Sequence, residues 1–333
     1  MQGGAKSFLL LSLFFLIVFL IVWQPSRLHA LESDYDPVTG EPKCMNCHPG
    51  DKKPSIDYSR DDSCFECHGP GLSDKFRAID SKYDKTIPLN PSLVKGEKGG
   101  FVSVPKKNKD MVFIPAGEFT MGSNEWWPKS QPEHKKVTGA FYMDKYEVPN
   151  KRYKKFVEAV NRPPPAHWIN GEIPAERADH PVVFVSWYDA DDFCRWEGKR
   201  LPTEPEWEKA ARGTDKRTFP WGNTFEAKRG NMPQLGKNDT MPAGSFENGK
   251  SPYGAYDMAG NVWEWTSDWF KPYPGNNHPD ENYGEKYKVV RGGSWYDCTY
   301  YKCGISAPAY NRIFFNPMTM NNNFGFRCVM DAK

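Results

Sequence analysis

Cys298 and Cys303 stand five positions apart, flanked by tyrosines, at the end of the stretch Arg291-Gly292-Gly293-Ser294-Trp295-Tyr296-Asp297-Cys298. Two thiols at this spacing support three chemistries: a disulfide, a soft-metal clamp or a redox-active dithiol. Gly292 and Gly293 let the backbone turn, or approach another group closely, just ahead of the pair. The β-rich Lys288-Val289-Val290 delivers them.

A second group of cysteines carries different chemistry. Cys44, Cys47 and His48, and again Cys64, Cys67 and His68, each spell C-x-x-C-H, the attachment motif for c-type haem. The two thiols form thioethers with the porphyrin, and the adjacent imidazole ligates the iron. The surrounding polar segment, rich in Asp, Lys, Pro and Gly, has few apolar residues of its own. A haem would supply the apolar core that this chain lacks. The same cysteines also read as C-x2-C-x16-C-x2-C, which satisfies a zinc ribbon. A histidine directly after each pair favours haem, and the segment is expected to carry two haem c groups.

Both readings depend on compartment. Lys6 precedes a strongly apolar run from Phe8 to Trp23, and Leu28-His29-Ala30 offers a small residue at a cleavage position. The run is slightly short for a spanning helix and slightly long for a signal core. Either reading exports the remainder, to the periplasm or cell surface, and an uncleaved membrane anchor is the favoured form. Outside the cytoplasm, thiols are typically paired, metal-bound or attached to a cofactor.

The bulk numbers bound the rest. A chain of 333 residues has room for one large and one small domain. A net charge of +2 gives no electrostatic case for a nucleic-acid partner. The 15% aromatic content, with 12 Trp, 28 Gly and 29 Pro, predicts a loop-rich fold cored by large rings.

The elements that must position the second cysteine pair are legible in part. Residues 91–108, rich in Pro, Lys and Gly, read as a linker. Residues 111–123 and 141–148 read as strands. Asn150 is expected to cap a helix with Tyr153, Phe156, Val157 and Val160 on one face, ended by Pro163. Ser186 with Asp189, and Thr203 with Glu206, start two more helices, closed by Gly198 and Gly213. Trp187, Phe193, Trp196 and Trp207 on these helices are expected in the core.

These segments carry a family resemblance. Residues 111–122 (MVFIPAGEFTMG), 140–144, 180–187 and 198–213 (GKRLPTEPEWEKAARG) resemble the formylglycine-generating enzyme, or sulfatase-modifying factor, domain. Residues 220–223, 260–265, 291–295 and 325–328 continue the likeness in order. The resemblance implies an irregular α+β fold related to C-type lectin-like domains. It places this domain at 109–333, after a signal or anchor at 1–30 and the haem segment at 31–90.

The resemblance also implies sites. Cys194 and Cys328 fall where the family can carry a disulfide, whereas Ala211 stands where a second one would need a cysteine. Asp257, Gly260, Val262 and Glu264 resemble the family's calcium loop, offering side-chain and carbonyl oxygens to a hard cation. A second calcium site would use Asn231 and Asp239, at divergent spacing. In the family's enzymes a pair like Cys298 and Cys303 binds copper(I) and oxidises a substrate cysteine to formylglycine, with a residue at the position of Ser294 contacting that peptide. Here the pair sits one residue further from Ser294, and Gly304-Ile305-Ser306 replaces the expected arginine. Two functions follow as expectations. One is an electron-transfer cytochrome fused to a copper-dependent thiol oxidase acting on a peptide or protein. The other is a calcium-stabilised, non-catalytic domain docking the haems onto a redox partner or electron-transfer complex.

Overall fold

The computed structural model describes residues 94–95, 101–102, 110–296 and 306–332, which belong to one compact unit, Asp84–Lys333. The apolar run at 8–23, both C-x-x-C-H motifs, and Cys298 with Cys303 lie outside the described residues. Among the described residues no helix is long and apolar enough to cross a membrane.

Among the described residues, short strands and three α-helices surround a ring-filled interior. Strands β1 (Val94–Lys95) and β2 (Phe101–Val102) pair antiparallel. The stretch expected as one strand from Met111 is two, β3 (Met111–Ile114) and β4 (Gly117–Met121). Pro115 has no N–H to continue a ladder, and Gly117 turns the chain at φ 135°. β4 then pairs with β5 (His134–Thr138) in a separate ribbon. β3 lies against β6 (Phe141–Asp144), whose other edge takes β11 (Val329–Asp331). The beginning and end of the domain therefore share one antiparallel sheet, with Met143 opposite both Val112 and Val329.

Helix α1 (Asn150–Val160) begins one residue earlier than expected, with Pro149 at its cap. Asn150 is not the cap because its amide is used elsewhere: Nδ2 donates to the carbonyls of Arg177 (3.0 Å) and His180 (3.2 Å). Helices α2 (Trp187–Trp196) and α3 (Glu204–Arg212) both open on full capping boxes, at Ser186/Asp189 and Thr203/Glu206. Each box satisfies two otherwise orphaned backbone donors. The Tyr153 and Phe156 rings of α1 pack on Phe193 of α2, with Phe326 against the same cluster. The Cys194–Cys328 disulfide lies inside it, both residues fully buried. Trp187 is only partly buried and lies beside the Lys288 ammonium, 4.0 Å from its ring centroid.

The last sheet, ordered β10-β7-β8-β9, presents the loop of interest. Its members are β7 (Trp263–Trp269), β8 (Lys288–Arg291), β9 (Arg312–Phe315) and β10 (Phe324–Gly325). β10 joins β7 parallel while the other pairs are antiparallel. Helix α3 packs behind it and is unusually polar for an interior helix, burying Glu204, Glu206, Glu208, Lys209 and Arg212.

Candidate functional site

β8 ends at Arg291, a fully buried cation. Its guanidinium donates to Glu208 Oε2 (2.5 Å), Glu204 Oε1 (3.0 Å) and the Ala309 carbonyl (2.7 Å). Arg312 adds a second bond to Glu204 (2.8 Å), so two guanidiniums and two carboxylates tie the sheet to α3. A desolvated ion network of this kind tolerates little movement, because removing one partner strands a buried charge.

The chain leaves this anchor through Gly292 (φ 99°) and Gly293 (φ 76°), where side chains are strained whatever the space. A Cβ at Gly292 would lie 3.1 Å from Trp207 Cζ2, and one at Gly293 2.8 Å from Ser306 Oγ. Ser294 follows and is buried. Its hydroxyl donates to the Tyr296 carbonyl and accepts from Tyr296 N (3.2 Å) and Asn323 Nδ2 (3.1 Å). Asn323, which sequence reasoning did not single out, is itself buried, and its Oδ1 has no partner among the described residues. Its only sequence signal is its position two residues before the Gly325–Cys328 block. The described part of the loop stops at Tyr296, just short of the cysteine pair.

The candidate cation loop lies directly beneath. Asp257 (φ 56°), Gly260 (φ 92°) and Asn261 (φ 66°) are all left-handed, so the backbone curls tightly there. A Cβ on Gly260 would sit 2.5 Å from the Asn231 carbonyl oxygen. Asp257 Oδ2 accepts from Gly244 N (2.6 Å). Glu264 is held on both oxygens, by Arg327 Nη2 (2.6 Å) and Nε (2.7 Å) and by Trp207 Nε1 (2.8 Å). A third carboxylate, Glu147, enters from far away in the chain, accepting from Asn261 Nδ2 (2.5 Å) and Val262 N (3.2 Å). Nothing local in the sequence marks Glu147, since its partners lie 114 and 115 positions on.

This buried cluster carries three carboxylates against the single guanidinium of Arg327. Burial, then repulsion from Asp257 and Glu264, pushes Glu147 well above the ordinary carboxylate range. Burial, with Glu264 adding to it, raises Asp257 to about 6. Among the described residues no three Cys, His, Asp or Glu side chains form a ready cage for a metal. The fit to a hard divalent cation is instead one of charge and donor type. Two buried carboxyl groups beyond the one that Arg327 neutralises sit at a tight turn, and their oxygens would suit calcium on losing their protons. For the second calcium position the signals divide. Asn231 Oδ1 is buried without a partner among the described residues. The Asp239 carboxylate, however, is paired with Arg177 and accepts from Thr240 N (2.7 Å).

Capped helices, a terminal-strand sheet and a glycine-led loop over an acidic turn place this fold in a known class. Residues 98–332 match the sulfatase-modifying factor enzyme 1-like domain, and the chain belongs to that family. It is 35% identical over 298 residues to the formylglycine-generating enzyme of Bos taurus, covering 70% of this chain and 77% of that protein. It is 32% identical over 276 residues to the inactive C-alpha-formylglycine-generating enzyme 2 of Mus musculus, covering 67% and 86%. Among solved structures, PvdO from Pseudomonas aeruginosa superposes with a TM-score of 0.55 at 27% identity, covering 67% of this chain and 96% of that one.

Proposed function

We propose that the chain is an extracytoplasmic, membrane-anchored protein in which a dihaem c segment supplies electrons to a formylglycine-generating-enzyme-like domain that oxidises a peptide thiol. The observation that supports it most is the anchoring of the loop into Cys298. Arg291 fixes its root, Gly292 and Gly293 fold it over Trp207, and Asn323 holds Ser294 in place. Such pre-organisation costs stability and is found where a site must hold reactants in register.

Copper(I), held by the Cys298 and Cys303 thiolates, would supply dioxygen activation; two soft ligands suit that ion. Oxidising a cysteine with dioxygen consumes reducing equivalents. The cysteine gives two of the four electrons that dioxygen takes, leaving as aldehyde and sulfide; haems bound at Cys44, Cys47 and His48, and at Cys64, Cys67 and His68, would relay the other two singly from an external electron-donor protein. The chain's own residues position the peptide: Ser294 and Asn323 are fixed polar groups at the root of the loop that leads towards the pair. Calcium at the Asp257–Glu264 loop, with Gly260 and Val262 carbonyls, would hold the scaffold under them.

Cys298→Ser and Cys303→Ser should each abolish copper(I) binding and leave a c-type haem absorption spectrum intact. Copper binding that survives both changes removes the oxidase reading, and a spectrum without c-type bands removes the cytochrome. A second reading has its own support in the likeness to a relative named as inactive. In it the domain is a non-catalytic, calcium-stabilised module that docks the haems onto a redox complex, and Cys298 and Cys303 form a disulfide. Thiol titration of the metal-free native protein separates the two, since a staple leaves no free thiols.

A further inference from the structure

A cavity of about 300 Å³ opens between the chain that follows α1 and Trp295, the residue bonded to Ser294. Its volume is at the lower end for ligand sites, the size of one side chain rather than a cofactor. Pro174, Pro181, Val183, Phe184 and Trp295 give it apolar and ring-faced walls. The Trp295 indole N–H is already committed to the Asn322 carbonyl (3.4 Å). Phe184 holds its backbone at φ 56°, a conformation a bulky residue rarely adopts and one that clusters at binding sites.

The polar side of this cavity can be worked out proton by proton. Asn150 Nδ2 faces the carbonyls of Arg177, His180 and Pro181, so its Oδ1 must be the acceptor for Trp168 Nε1 (2.9 Å) and His167 Nε2 (3.2 Å). The His167 proton therefore sits on Nε2. Nδ1 is left as a buried lone pair without a partner among the described residues. His180 Nδ1 lies 3.3 Å from Arg177 Nη1 and 2.9 Å from Thr240 Oγ1. A guanidinium only donates, so His180 Nδ1 accepts and its proton is on Nε2. Burial, then the Arg177 charge, lowers both imidazoles, His167 to about 4. Arg177 itself is cancelled by Asp239. The lining thus carries no net charge near neutral pH, with one imidazole lone pair and one imidazole N–H unclaimed by these contacts.

We propose that this cavity binds an uncharged planar group carrying a hydroxyl, namely the phenol of a tyrosine side chain on the peptide presented to Ser294. A phenol hydroxyl both donates and accepts, which matches the two histidines, and its ring suits walls of Trp295, Phe184 and proline. A carboxylate or ammonium would find the two charges in the lining, Arg177 and Asp239, already paired with each other, and would be desolvated without a free counter-charge. A phenyl ring without the hydroxyl would leave the buried acceptor unpaired, the kind of omission that polar sites discriminate against strongly. The proposal rests on the peptide-binding reading above.

The test uses the full chain, titrated with N-acetyl-tyrosinamide, N-acetyl-phenylalaninamide and N-acetyl-aspartamide by calorimetry and saturation-transfer NMR. Tyrosinamide should bind at least tenfold more tightly than phenylalaninamide, and the aspartyl compound should not saturate. His167→Ala, which removes the unpaired acceptor, should erase the difference between the two aromatic ligands. Trp295→Ala should weaken both, with thermal melting confirming that each variant is folded. Equal affinity for the two aromatics, no saturable binding, or unchanged tyrosinamide binding in folded Trp295→Ala overturns the pocket. A cysteine-containing peptide separates the two proposals. Tyrosinamide binding without oxidation of that peptide leaves the pocket standing and sinks the oxidase. Oxidation without tyrosinamide binding does the reverse.

Discussion

The backbone N–H of Trp295 donates to the carbonyl oxygen of Asn261 at 3.0 Å, and one turn earlier Gly260 N donates to the Gly292 carbonyl at 2.9 Å. The loop that leads to the cysteine pair is thereby stitched directly onto the acidic turn. Asn261 is the hinge of this join, because its side chain also donates to Glu147 and accepts from Met241 N (2.9 Å). A cation bound among Glu147, Asp257 and the turn carbonyls would relieve repulsion beneath Ser294. Calcium should therefore raise the melting temperature of chelator-treated protein in a concentration-dependent way, as any ligand selective for the folded state does. Glu147→Gln and Asp257→Asn should each weaken calcium binding at least tenfold by calorimetry. A melting temperature indifferent to both chelator and calcium would rule the site out.

The same acids set a pH dependence whose sign is fixed by burial. Asp257 titrates at about 6 in the folded protein against an ordinary 3.8. Between those values the native state keeps a proton that the unfolded chain has released, so the stabilisation is full below the lower value and lost as pH rises through the upper one. Glu147, raised well above its ordinary value, acts in the same direction. Calcium-free protein should accordingly lose urea resistance as pH climbs across this window, and Asp257→Asn should flatten the slope. Calcium, which needs both groups ionised, should help most at the alkaline end. An Asp257→Asn variant with the same pH slope as the parent, both calcium-free, would contradict this.

How far the sequence disclosed this arrangement depended on how local the cause was. The capping boxes at Ser186/Asp189 and Thr203/Glu206 are three-residue devices, and α2 and α3 start where they say. Asn150 carries a capping residue's chemistry but spends it on carbonyls 27 and 30 positions away, so the local rule misplaced it by one residue. The break between β3 and β4 was written in Pro115 and Gly117, yet the apolar alternation across them read as one strand. Asp257 and Glu264 were singled out through the resemblance of the continuous segment 257–264 to the family's calcium loop. Glu147 and Asn323 were invisible because only tertiary contact brings them to the site.

The glycine pair offers a narrower test of the loop. Gly292→Ala must hold a Cβ at φ 99°, 3.1 Å from Trp207 Cζ2, and Trp207 is fully buried and cannot step aside. The substitution should cost about 1–3 kcal/mol of stability from backbone strain, read from urea unfolding. Val289→Ala, in the middle of β8, should cost a similar amount by leaving a cavity. Only Gly292→Ala should also alter the near-ultraviolet signal of the Trp207 and Trp295 environment in the still-folded protein. Matching spectra for the two variants would show that the glycine serves packing alone.

The Cys194–Cys328 bond closes a loop of 134 residues, joining the second helix to the last strand region. In the chain-entropy account a closure of that length stabilises by about 5 kcal/mol, through restriction of the unfolded chain. Both sulfurs are in residues fully shielded from solvent, so reductant should act only on molecules that open. Asp144 sits beside the link, accepting from Cys328 N (3.3 Å), Arg152 (2.8 Å) and Lys199 (2.8 Å), and should keep the native geometry when the bond is gone. The double variant Cys194→Ala/Cys328→Ala should therefore fold to the same circular dichroism spectrum with a urea midpoint well below that of the oxidised parent. Dithiothreitol should lower the parent's midpoint towards the variant's while leaving the variant's unchanged. Equal midpoints for oxidised parent and variant would mean that ring packing around Phe193 and Phe326, and not the covalent link, holds the end of the domain in place.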